Sequence, residues 1–165
     1  MTLPPPVRLV GCGSPCGDDA VGWRVIAALR AAVGDESAVE LHALATPDGL
    51  LDVLDGRGSL VVVDGLMSGA PPGTVQRFAW PDPRLRGAAG PSTHGLSVAT
   101  VLDVAASLRC LPPRVVVYGV ECDGADPAAT DMSPLVAAAV PAVVQAILRE
   151  IAAPTKHSPS DPGAS

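Results

Sequence analysis

A chain of 165 residues is the size of one domain, long enough to bury a core without metal or disulfide staples. It is 48% apolar and 17% charged with a mean hydropathy of +0.35, which excludes a mainly disordered chain. Eleven Lys and Arg against seventeen Asp and Glu give a net charge of −6, and aromatics make up only 2%, so no nucleic-acid partner is expected.

Residues 7–13 have the pattern of a short buried strand closed by a glycine-rich turn. Residues 18–33 carry helical spacing, with Val21, Val25, Ile26, Leu29 and Val33 on one face. A second strand is expected over 38–44. Thr46 and Pro47 then mark a short helix start, Thr as N-cap and Pro at the first helical position. Leu60-Val61-Val62-Val63-Asp64 lies in a third strand, 59–66, whose β-branched run suits a central strand covered on both faces. A fourth strand is expected over 73–80, a helix over 95–109, a fifth strand over 114–121 and a last helix from Ser133-Pro134 to about 152, kinked at Pro141. The expected domain is 1–153, and 154–165 reads as a disordered tail.

Strands alternating with helices imply an α/β fold, a three-layer α/β/α arrangement around a mixed five-stranded sheet. The fourth strand follows the third too closely for a parallel crossover, so it is expected to run antiparallel, beside the third strand or one place away. Ligands of such sheets bind beyond the carboxyl ends of the parallel strands. Asp18 and Asp19 follow the first strand, Asp64 ends the third, and Glu121 and Asp123 end the fifth. The thirteen-residue loop 81–93 can span about 40 Å at roughly 3.3 Å per residue, enough to return His94 to that rim.

Asp19, Asp64 and His94 therefore form the candidate site, two carboxylates and an imidazole. The set suits a borderline divalent ion such as nickel or zinc, or acid–base chemistry. Asp18 and Asp19 could instead serve only the helix start. Asp64 is the strongest candidate, because an acid ending a four-residue apolar run is costly unless partnered. No run of eighteen apolar residues occurs, so no membrane-spanning helix is expected, and residues 1–6 lack the basic start of a signal peptide. The four cysteines are expected to be free thiols in a cytoplasmic protein.

These motifs carry a family resemblance. Gly11-Cys12-Gly13-Ser14-Pro15-Cys16-Gly17-Asp18-Asp19 resembles the opening motif of the NiFe hydrogenase maturation endopeptidases, G-x-G-N-x-x-x-x-D-(D/E), one residue short and with Ser14 in place of Asn. Val61-Val62-Val63-Asp64-Gly65 resembles their second acidic motif, and Ser92-Thr93-His94-Gly95-Leu96 their histidine motif. Val117-Tyr118-Gly119-Val120-Glu121 and Met132-Ser133-Pro134 resemble their C-terminal signature. The resemblance implies a phosphorylase/hydrolase-like sheet with an antiparallel fourth strand. It also implies cleavage of a C-terminal extension from a NiFe hydrogenase large-subunit precursor once nickel is inserted, the nickel being supplied by the substrate and no organic cofactor being used. By motif position Asp19, Asp64 and His94 are the metal-contacting and catalytic residues, and Gly13, Ser14, Thr46 and Asp48 fall in substrate-contacting regions.

A dinucleotide-binding fold is a weak rival. The spacing is G-x-G-x-x-x-G, Asp18 and Asp19 would face the pyrophosphate, and His42 stands near the strand end where the ribose-binding acid belongs. Cys12 and Cys16 lack the second pair of a structural zinc site, and Cys110 and Cys122 read as core or rim thiols. The remaining alternative is a non-cleaving, metal-sensing chaperone for the same precursor.

Overall fold

The structure, a computed structural model, describes residues 3–34, 38–88, 96–124, 126 and 128–152. His94 and the expected tail lie outside the described residues.

Five strands form one sheet in the order β2-β1-β3-β5-β4: β1 (Val7–Cys12), β2 (Val39–Leu44), β3 (Ser59–Leu66), β4 (Val75–Ala79) and β5 (Arg114–Glu121). The first three and β5 are parallel, while β4 runs antiparallel beside β5, one place from β3. The mixed sheet, its antiparallel fourth strand and its neighbouring helices agree with the expected fold. α1 (Val21–Val33) and α5 (Pro134–Ala152) cover one face; α2 (Leu50–Val53), α3 (Pro83–Ala88) and α4 (Val98–Ser107) lie on the other.

Strand alternation divides the core between these layers. Leu9, Val61, Val63, Val116, Tyr118 and Val120 pack under α1 and α5; Val10, Leu60, Val62, Leu66, Val115 and Val117 pack under α2 and α4. Each fully buried Val or Leu contributes about 1.5–3 kcal/mol. The buried valines of β3 and β5 thus hold the strands that end at the candidate site.

The loop after β4 contains a helix absent from the sequence expectation, Pro83–Ala88. The following helix starts at Val98 rather than near residue 95, with the Ser97 hydroxyl accepting from the Thr100 amide. Pro141 does not divide α5, which runs unbroken from Pro134 to Ala152 with Pro141 on its exposed side. Among the described residues α5 alone is long and apolar enough to cross a membrane, yet Val136, Val143 and Ile147 are fully buried against the sheet.

Two polar ties secure the far parts of the sheet. Buried Arg8 donates to Glu40 at 3.1 Å, to Asp55 at 2.7 Å and to the Arg57 carbonyl at 3.1 Å. Arg77 on edge strand β4 makes a bidentate pair with Glu150 of α5 at 2.8 and 2.9 Å, and the Tyr118 hydroxyl of β5 donates to the same carboxylate.

Candidate active site

The turn after β1 is shaped by backbone contacts that exclude side chains. Gly13 has φ +143°, and its amide donates to the Leu44 carbonyl at 3.0 Å. Gly11 and Gly22 let α1 lie directly on the strands: a Cβ on Gly11 would come 2.3 Å from the Gly22 carbonyl oxygen, and one on Gly22 would come 2.7 Å from that of Val63. This contact brings the start of α1 against the end of β3.

Asp18 and Asp19 are the two central residues of a 3-10 turn, Gly17–Ala20, which has no side-chain cap. Asp18 therefore does not cap its own helix start. Its carboxylate accepts from the Ser133 amide at 2.6 Å, the Asp123 amide at 2.7 Å and the Ser133 hydroxyl at 2.9 Å. Asp19 takes a different course: its carbonyl accepts from the Ser14 amide at 3.3 Å, and the residue lines a cleft.

Asp64 is paired in register with Gly119, two residues before β3 ends, and shares the face of Val62 and Leu66 by strand alternation. It is half-buried. Burial pushes its acid up, the Gly65 amide at 2.8 Å works against that, and the negative charge of Asp19 adds to it, leaving the group at about 7. The two candidate carboxylates thus sense each other. The neighbouring thiols are unsuited to nucleophilic attack: burial, followed by the Asp64 and Asp19 charges, raises Cys12, and burial with the surrounding carboxylates pushes Cys122 up to about 12.

A cleft of about 650 Å³ opens at this rim. One wall is Ser14, Cys16, Gly17, Asp18 and Asp19; the other runs through Cys122, Asp123, Gly124, Asp126, Asp131 and Ser133. Gly65 and Met67 form part of its lining, whereas Asp64 does not. Asp64 faces the opposite layer, that of α4. Glu121, buried at the end of β5, accepts from the Ser68 hydroxyl at 2.7 Å and the Gly69 amide at 2.9 Å, pinning the segment that follows Asp64.

The structure thus brings Asp19, Asp64 and Ser14 to one rim and puts Gly13 beneath Asp19. Thr46 and Asp48 also stand at the rim, beyond β2, but outside the lining of this cleft. Thr46 holds the N-cap position of the turn Pro47–Gly49 without the expected side-chain bond. His42 lies at the edge of the sheet, its Nε2 3.5 Å from Glu40. Among the described residues no group of three or more His, Cys, Asp or Glu is arranged to hold a metal ion. Asp19 and Asp64 supply two carboxylates, and the third expected donor, His94, lies outside the described residues. α4 ends on the side where Gly56 donates to the Cys110 carbonyl, before β3 and β5 begin, and it touches the turn after β2, so its first residues point to the carboxyl rim. The clamp by Asp18 and the acids at 126 and 131 were missed in the sequence, where only Met132-Ser133-Pro134 marked the approach to α5.

A family model described as hydrogenase maturation protease (HycI) matches residues 23–150. The chain belongs to the hydrogenase maturation protease family. The matched segment of this maturation protease includes Asp64 and begins just after Asp19. Solved structures share its fold. The hydrogenase maturating endopeptidase HybD from Escherichia coli aligns with a TM-score of 0.70 at 22% identity, covering 90% of each chain. An endopeptidase from Escherichia coli aligns with a TM-score of 0.72 at 23% identity, covering 92% of each. The hydrogenase maturation protease HybD from Thermococcus kodakarensis aligns with a TM-score of 0.68 at 19% identity, covering 90% of this chain and 98% of that one. No curated protein matches the sequence significantly.

Proposed function

We propose that this member of the family is the endopeptidase that removes the C-terminal extension of a NiFe hydrogenase large-subunit precursor after nickel insertion. The observation that carries this reading is the Asp19–Asp64 pair at the carboxyl rim of a maturation protease, with Asp64 held near neutrality.

Hydrolysis adds water across the scissile bond, the oxygen going to the carbonyl carbon and a proton to the departing nitrogen. A group that titrates near neutrality suits both proton transfers. Asp64 as carboxylate takes the proton of the attacking water and, as acid, gives it to the leaving amine. Asp19, across the rim, presents its carboxylate to the nickel carried by the precursor, and His94 is the second donor offered to it. Because that nickel is part of the substrate, the enzyme needs few ligands of its own; carboxylate and imidazole suit such an ion. Hydrolysis calls for no organic cofactor. Gly13, Ser14, Thr46 and Asp48 border the path of the peptide. The four free cysteines fit action in the reducing cytoplasm.

The test is a gel-shift of the purified precursor to its shorter form, with nickel-loaded, zinc-loaded and metal-free precursor compared. Shortening of the nickel-loaded form alone supports the proposal. Tight binding without shortening would favour the chaperone reading, and equal cleavage of all three forms would remove the role of nickel.

A further inference from the structure

We infer that Asp18 is a positioning residue, whose carboxylate clamps the turn carrying Asp19 to the segment between β5 and α5 and so fixes the two walls of the cleft. The role rests on the proposed function, in which Asp19 engages the precursor.

The three hydrogen bonds to Asp18 come from residues 105 and 115 positions away, not from its own helix. Oδ1 takes the Ser133 amide, and Oδ2 takes the Asp123 amide and the Ser133 hydroxyl. All three partners are donors, which an ionised carboxylate satisfies as an acceptor on both oxygens. The same two walls meet at Gly17, whose amide donates to the Thr130 carbonyl at 2.9 Å and whose φ of +58° leaves a Cβ 2.8 Å from the Ala129 oxygen. Cys122 adds a longer contact from its thiol to the Asp18 carbonyl, 3.8 Å.

Asp18 and Asp19 are adjacent in the chain, so the clamp sets the direction of the Asp19 carboxylate. Ser14, Cys16 and Asp19 stand on one side of it, and Asp123, Asp126 and Asp131 on the other. An amide at position 18 cannot reproduce it. Whichever way the group turns, its NH2 faces one of the two backbone amides, and that amide loses its partner.

The experiment measures kcat and KM on nickel-loaded precursor, well below the melting temperature, for wild type, Asp18→Ala, Asp18→Asn and Ser133→Ala. Glu150→Ala serves as a destabilised control remote from the cleft. Amide hydrogen exchange at Asp123 and Ser133 gives a readout independent of activity. We expect kcat per folded molecule to fall about 10- to 100-fold in Asp18→Ala, the scale of a misplaced reacting group. The fall should be smaller in Asp18→Asn and smallest in Ser133→Ala, with KM changing less than kcat and exchange at both amides accelerated. Glu150→Ala should melt earlier and keep its kcat. Wild-type kcat in folded Asp18→Ala, or a parallel loss of kcat in Glu150→Ala, overturns the positioning role. If wild type leaves the precursor whole, the cleavage reading falls instead, and the clamp is then decided by exchange: unchanged rates at Asp123 and Ser133 in Asp18→Asn overturn it.

Discussion

A Cβ on Gly13 would lie 1.9 Å from the carbonyl oxygen of Asp19. The strand end and the turn carrying Asp19 are thus in backbone contact, at a residue whose φ of +143° already disfavours a side chain. Gly13→Ala should push the turn away and abolish processing, with melting lowered by several degrees. Gly34→Ala is the control: its φ of +66° strains any side chain, but nothing lies within 4 Å, so it should cost only about 1 kcal/mol and leave processing intact. Thermal melts and precursor processing on both variants check this pair.

Asp64 makes stability depend on pH in an unusual direction for an acid. Its folded value, about 7, lies above the unfolded one, so the native state holds the proton more tightly. Stability therefore falls as pH rises from about 4 to 7, by up to about 1.4 kcal/mol for each pH unit crossed. Asp64→Asn removes the buried charge. It should unfold at higher urea than wild type at pH 8, by roughly 1–3 kcal/mol, and match wild type near pH 4. A variant less stable than wild type at pH 8 would show that the carboxylate is better partnered than its surroundings indicate.

The tie from edge strand to last helix has the opposite sign. Burial works to raise Glu150, but its bonds from Arg77 and Tyr118 outweigh that and hold it below the usual range. Its contribution is present above the unfolded value and is lost as pH falls through the folded one. Glu150→Gln should cost about 1–2 kcal/mol at pH 7, and the cost should shrink below about pH 4. Urea unfolding at the two pH values checks it.

The strands and their order of direction were legible because their signals are local and strong. The Val runs in 59–66 and 114–121 give strands with the bounds observed, and the short connection between β3 and β4 was too brief for a parallel crossover. Asp64 stood out as the acid that ends such a run. The helix Pro83–Ala88 was not legible, because Pro and Gly around a short segment carry the same pattern as a loop. The clamp at Asp18 was invisible for a different reason. An acid at a helix start has an ordinary local explanation, and its true partners, Asp123 and Ser133, are set by tertiary packing. The orientation of Asp64 away from the described cleft likewise depends on strand pleat, which a one-residue change of register would reverse.

The central claim is that Asp64 performs the cleavage. Its most direct test is the intact mass of nickel-loaded precursor after incubation at pH 7 with wild type or with Asp64→Asn. The variant keeps the volume of the side chain, and it should fold at least as stably, so lost activity cannot be assigned to unfolding. Wild type should give one shortened species, lighter by a single C-terminal peptide, while Asp64→Asn leaves the precursor at full mass. Processing by Asp64→Asn at the wild-type rate would contradict the account.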